Sequence, residues 1–254
     1  MITIREYLKA DSLEQAWSAN QKRPNRVLGG MGWMKMSGGT VSAAIDLSGL
    51  GLDQIEETGE EFVIGAMATL RQFETHEGLE QYFRGAVRES VRHIVGVQFR
   101  NCATVGGSVW LRAGFSDPLT LLLALDCTVE LYQGGGKTVQ IPIKEFCQMK
   151  PDNSILTAVH IRKTGRQVVY QSFRNTETDF PVLAVAVSRL DGIYRAAVGA
   201  RPAKAMAVTA QNVEQLIERA QALPYRDNLR ASAEYRTMLA GVLIRRAAEE
   251  LERR

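Results

Sequence analysis

An α+β fold follows from three features of the 254-residue sequence. Strand and helix patterns alternate irregularly over the first 149 residues, the polar stretch Lys150-Pro151-Asp152-Asn153-Ser154 then interrupts the chain, and a run of short apolar strands beyond it gives way to long helical patterns. Strands that precede helices as a block form segregated layers. The polar stretch divides the chain into an N-terminal domain, residues 1–149, and a C-terminal α+β domain, residues 150–254, of a small antiparallel sheet plus helices.

The elements follow in order. Ser12-Leu13-Glu14-Gln15 is a capping box that opens a helix through about Asn20, with Leu13, Ala16 and Trp17 on one face. Val27-Leu28 is a short strand running into Gly29-Gly30-Met31-Gly32, and residues 43–47 form a second strand. Residues 54–57 and 61–64 make a hairpin about Thr58-Gly59-Glu60. Helical spacing recurs over 69–76 and 80–91, and residues 118–124 are apolar enough for a buried helix leading into a strand over 127–132. Gly134-Gly135-Gly136 turns the chain into another strand over 139–143. In the C-terminal domain, residues 155–162, 167–174, 183–189 and 194–198 are predicted to pair as one antiparallel sheet, with helices over 208–222 and 231–251.

Composition excludes several classes of function. Thirty-one basic residues stand against 28 acidic ones, scattered along the chain, so no basic stripe is available for nucleic acid. No apolar run approaches the ~20 residues of a membrane span, and Met1-Ile2-Thr3-Ile4-Arg5-Glu6 lacks the charged and apolar regions of a leader. A cytoplasmic protein with no membrane contact is expected. Cys102, Cys127 and Cys147 are too widely spaced for a C-x-x-C pair and read as small buried hydrophobes. His76, His93 and His160 lack metal-ligand spacing, and Ser116 and Ser172 have no triad partners in sequence, so neither a metal site nor a catalytic residue is assigned. Gly136-Lys137-Thr138 ends like a phosphate loop, but Leu131 stands where that motif needs glycine. Lys35 likewise stands where Gly30-x-Gly32 would need a third glycine to complete a Rossmann fingerprint.

Two glycine motifs survive this elimination. Thr104-Val105-Gly106-Gly107, with Asp117 ten residues further on, combines glycines that let backbone N–H groups approach an anion with side chains able to bond a sugar. That chemistry suits a dinucleotide. Gly29-Gly30 is a second, weaker signal of the same kind, and both motifs are expected where backbone must come close to a ligand or adopt positive φ.

The segment Arg100-Asn101-Cys102-Ala103-Thr104-Val105-Gly106-Gly107-Ser108 resembles the second flavin-binding motif, Arg-Asn-x-Ala-Thr-Ile-Gly-Gly-Asn, of the FAD subunits of molybdenum hydroxylases, the family of xanthine dehydrogenase, aldehyde oxidase and aerobic carbon monoxide dehydrogenase. Similarity extends to Ile45-Asp46-Leu47, to Ile64-Gly65-Ala66, to Leu122-Leu123-Ala124-Leu125-Asp126, and to the C-terminal blocks from Asp227 to Arg236 and from Leu243 to Arg246. The resemblance implies a two-lobed FAD-binding domain, with α+β lobes over about 1–50 and 51–149, whose glycine loops close on the pyrophosphate. It places Val27, Leu28, Gly29, Gly30, Met31, Gly32 and Trp33 there, together with Ala103, Thr104, Gly106, Gly107 and Ser108. It sets Ile94, Val95 and Phe99 beside the adenine-side channel, Asp117 on the ribityl or ribose hydroxyls, and Ile155, Leu156 and Arg174 near the isoalloxazine.

Partners are implied as well: a molybdopterin-binding large subunit and a [2Fe–2S] small subunit, with electrons passing through FAD to NAD⁺ or another acceptor during purine or aldehyde oxidation. Three departures weigh against retention of the cofactor. Met31 replaces a threonine, Gly32 a carboxylate, and Ala113-Gly114 a Ser-Pro pair. One lost hydrogen bond to a charged phosphate costs roughly 1.5–3 kcal/mol. The alternative is therefore a diverged, flavin-free scaffold subunit of the same complex.

Overall fold

The computed structural model describes residues 2–254, whose strands form three sheets. The first is small and parallel. Strands β1 (Thr3–Lys9) and β2 (Arg26–Val27) flank β3 (Thr40–Asp46), with helix α1 (Leu13–Asn20) in the crossover. Ser12 caps α1 by accepting the Gln15 N–H, while the Gln15 side chain reaches back to the Asp11 N–H, one residue short of a true capping box. Strand β1 has no counterpart in the sequence reading: as an edge strand exposed along nearly all its length, it lacks an apolar alternation. Between β2 and β3 the chain runs through the first glycine loop and a single 3₁₀ turn, Met34–Met36.

The hairpin of β4 (Ile55–Glu57) and β5 (Glu61–Gly65) opens the middle region. Helices α2 (Leu70–Thr75), α3 (Glu77–Tyr82), α4 (Ala86–Val91), α5 (Val97–Arg100), α6 (Val105–Trp110) and α7 (Asp117–Leu125) follow, then β6 (Thr128–Tyr132), β7 (Thr138–Pro142), α8 (Ile143–Gln148) and β8 (Ile155–Arg162). The single helix expected over 80–91 is two, because Gly85 at φ 85° reverses the chain between them.

Strand β8 departs most from the arrangement expected of its sequence. It lies between β5 and β6, antiparallel to both, in the order β4-β5-β8-β6-β7, and does not pair with residues 167–174. Every residue from Ile155 to Ile161 is buried, so both faces of this strand need cover that a central position provides and a sheet edge does not. The change of sheet thus falls after Arg162, beyond the expected division at 149/150. Phe62, Ile64, Phe73, Leu79 and Val159 make the core beneath, joined by α7.

The third sheet is antiparallel, β12-β11-β10-β9, built from β9 (Gln167–Phe173), β10 (Leu183–Leu190), β11 (Ile193–Gly199) and β12 (Met206–Ala210). Helices α9 (Val213–Gln221) and α10 (Ala233–Arg253) cover one face. Residues 208–210, expected as the start of a helix, complete β12 instead; Asn212 caps α9 by accepting the Gln215 N–H, and β-branched Val208 and Thr209 pair with β11. All nine residues of α7 are buried, and the helix packs against β10 and β11 on the face away from α9 and α10. The Ser188 hydroxyl donates to its Ala124 carbonyl at 2.7 Å.

Candidate cofactor-binding site

The two glycine motifs, some 70 residues apart, are in contact. An ideal Cβ on Gly30 would sit 1.7 Å from the Cys102 carbonyl oxygen and 2.6 Å from Ala103 Cα; one on Gly29 would sit 3.0 Å from Thr104 Oγ1. Gly32 accommodates the Phe99 ring, whose Cζ would be 2.5 Å from its Cβ. Only glycine lets the first loop lie this close to the second. The second loop is fastened from behind: Leu70 N–H donates to the Ala103 carbonyl, and Val105 and Gly106 donate to the carbonyls of Ala68 and Ala66.

Accounting for backbone donors separates the loops chemically. In the second, Val105 and Gly106 are used as above, and Gly107 and Ser108 donate to Thr104 Oγ1 and the Thr104 carbonyl. In the first, Leu28 donates to Ile45, but Gly29, Gly30, Met31 and Gly32 donate to no protein acceptor among the described residues. Met31 adopts left-handed φ 57°. Consecutive free N–H groups about a left-handed residue form a concavity suited to an anion. The residues therefore fit a pyrophosphate, with the first loop supplying the donors and the second the wall. Gly107 has ordinary φ and an open flank, so its expected positive φ is not found.

Asp117 has protein partners of its own. Its carboxylate is buried, accepts a hydrogen bond from the Tyr170 hydroxyl, and pairs with Arg174 Nη2 at 2.8 Å. Burial raises its pKa against the opposing pull of Arg174 and Tyr170, and burial beside this carboxylate pushes the Tyr170 phenol up. With these partners it spans α7 and β9, and its expected bond to sugar hydroxyls would compete with both. Arg174 also donates to the Asp179 carbonyl at 2.6 Å, while its buried Nε has no acceptor. That orphaned donor fits a ligand carbonyl.

Ile155 and Leu156 have side chains buried in two different hydrophobic clusters, because both faces of β8 are covered; only their backbone could approach a flavin. Ile94 packs on the main core, and Val95 is 54% exposed at a strained φ of 48°. Val27 and Leu28 are half-buried where the first loop begins. Trp33 closes that loop in a cluster with Phe115 and Phe180, at centroid separations of 5.6 and 5.9 Å. These rings and Arg230 line a cleft of about 450 Å³.

Arg100, within the second motif, carries no role in the sequence reading. Its buried guanidinium holds both Glu74 oxygens at 2.8 and 3.2 Å and the carbonyls of Arg92 and Ile94, tying α2, the turn after α4 and the glycine loop together. Burial raises the Glu74 pKa, but hydrogen bonds from Arg100 and Arg71 outweigh it and hold the carboxyl below its ordinary value. Tyr170 is equally silent in sequence, since a tyrosine inside an apolar strand carries no sign of its partner.

A family model described as "FAD binding domain in molybdopterin dehydrogenase" matches residues 3–163. The chain is 26% identical over 254 residues to the Escherichia coli K12 protein YgfM, covering 95% of this chain and 94% of that one. It is 29% identical over 233 residues to the nicotine 6-hydroxylase medium subunit of Paenarthrobacter nicotinovorans, covering 82% of each. Its fold matches a chain in the crystal structure of the Cu,Mo-CO dehydrogenase with TM-score 0.84 at 23% identity, over 98% of both chains.

Proposed function

Because this chain belongs to the family of FAD-binding domains of molybdopterin dehydrogenases, we propose that it is the flavin-bearing electron-transfer subunit of a molybdenum hydroxylase complex. The observation that carries this reading is the run of four unpartnered N–H groups, Gly29 to Gly32, seated against the second glycine loop. These donors would hold the FAD pyrophosphate. Arg174 Nε would meet an acceptor of the ring system, and the Trp33–Phe115–Phe180 cluster would limit water at the rim. Bound FAD supplies exchange between one-electron and two-electron transfer; the chain's own residues bind and orient it and set its surroundings.

Molybdopterin-binding and [2Fe–2S] subunits would complete the complex in the cytoplasm, delivering electrons through the FAD of this chain to NAD⁺ or another acceptor. Purine or aldehyde oxidation is the reaction favoured by the sequence resemblance. Substrate choice would lie in the molybdenum subunit, as the different substrates named for similar medium subunits suggest.

Titration of the purified chain with FAD tests the reading. Saturable binding with a flavin spectrum, and much weaker binding of FMN, which lacks the pyrophosphate, are expected. A second reading, the flavin-free scaffold, draws on the satisfied donors of the second loop and the closed Asp117–Arg174 pair. A colourless chain that takes up no FAD at high micromolar concentration would favour it.

A further inference from the structure

Helices α8 and α9 and strands β11 and β12 border a cleft of about 370 Å³ lined by Lys144, Arg195, Thr209 and Arg219. It lies toward the opposite end of α7 from Asp117, which for nine helical residues is about 13 Å away. Three cations therefore line one small concavity. The nearby carboxylate, Asp126, accepts two 2.7 Å hydrogen bonds from Arg195 and balances its charge, which leaves Lys144 and Arg219 as the cations without a carboxylate partner.

The remaining donors lack acceptors. Lys144 has no hydrogen bond or ion pair among the described residues, and Arg219 uses Nη1 for the Thr209 carbonyl and nothing else. Arg195 Nε is buried without a partner. An orphaned buried donor costs free energy unless something occupies it. Arg166 stands close by: burial and then the Arg195 cation pull its pKa down, with Asp126 and Asp191 acting in the opposite sense.

We propose that this cleft is a second, flavin-independent binding site for a small phosphate-bearing anion, held by Lys144 Nζ, Arg195 Nε and the free guanidinium nitrogens of Arg219. Its volume suits a phosphomonoester better than a protein segment. The donor set suits a phosphate, since arginine and lysine together offer fork and point-charge contacts to its oxygens.

The test uses the full chain saturated with FAD, so that the glycine loops are filled, and titrates it with inorganic phosphate and with AMP at constant ionic strength. Saturable binding at up to millimolar concentration is expected, weakened about tenfold by either Lys144→Gln or Arg219→Gln, with FAD affinity and the circular dichroism spectrum unchanged. Should the chain take up no FAD, the same titration is run on the apo-protein, where the two variants still report on this cleft alone. No binding of either probe, or binding that both variants leave intact, would overturn the proposal. So would binding of an acidic peptide in preference to both phosphates.

Discussion

Substituting Gly30 with alanine separates ligand binding from folding. The new Cβ would lie 1.7 Å from the Cys102 oxygen and 2.3 Å from its carbonyl carbon, where ordinary contact begins at 3.4 Å, so the loops must part by about 1.7 Å. Neither side yields easily: Leu28 is tied to Ile45 at 2.8 Å just before the first loop, and Ala103 to Leu70 at 2.7 Å behind the second. Overpacking of this kind costs about 1–3 kcal/mol. If the cost falls on the closed geometry that grips a pyrophosphate, FAD affinity drops about 5- to 150-fold. Gly107→Ala is the control, because its Cβ would meet only Thr104 Oγ1, at 3.1 Å, and its loss should stay below about threefold. Fluorescence titration of FAD, with thermal melts of the apo-proteins, reads both. Wild-type affinity in folded Gly30→Ala, or an equal loss in Gly107→Ala, would show that close contact of the two loops is not what holds the ligand.

Three further outcomes are expected. Asp117→Asn should lower apo-protein stability by about 3–5 kcal/mol, because it leaves the buried Arg174 guanidinium unpaired; denaturant melts should find this loss with or without excess FAD, whereas full rescue by FAD would return Asp117 to a direct ligand role. The Glu74 carboxyl is held below its ordinary 4.5, so the stability it contributes is present above that pH and lost as pH falls through the lower folded value. The gap in denaturation midpoint between wild type and Glu74→Gln should therefore be wider at neutral pH and narrow as the pH falls below 4.5, and a gap independent of pH would contradict the assignment. Thiol reagents should label only Cys102 in the folded chain, since Cys102 is exposed while burial raises the Cys127 thiol and pushes the Cys147 thiol up to about 11; rapid labelling of two or three thiols would count against this packing.

Features set by near neighbours in the chain are legible in the amino-acid order. Ser12 before Leu13, the Thr58-Gly59-Glu60 hairpin, the apolar run of α7 and the glycine motifs all act within a few residues, so each appears as a local pattern. Partners at long range leave no such pattern. Strand β8 reads as apolar whichever sheet receives it, and only its burial on both faces assigns it to the centre of the middle sheet. Glu74 and Arg100 stand 26 residues apart, and Asp117 and Tyr170 53; either acid could as well have faced solvent or a ligand. Which backbone could approach an anion is written in the amino-acid order, because it depends on the missing Cβ of glycine. Which of those N–H groups stay free is a matter of long-range packing, because the Ala66 and Ala68 carbonyls and Thr104 accept the second loop's N–H groups, while those of Gly29 to Gly32 meet no acceptor among the described residues.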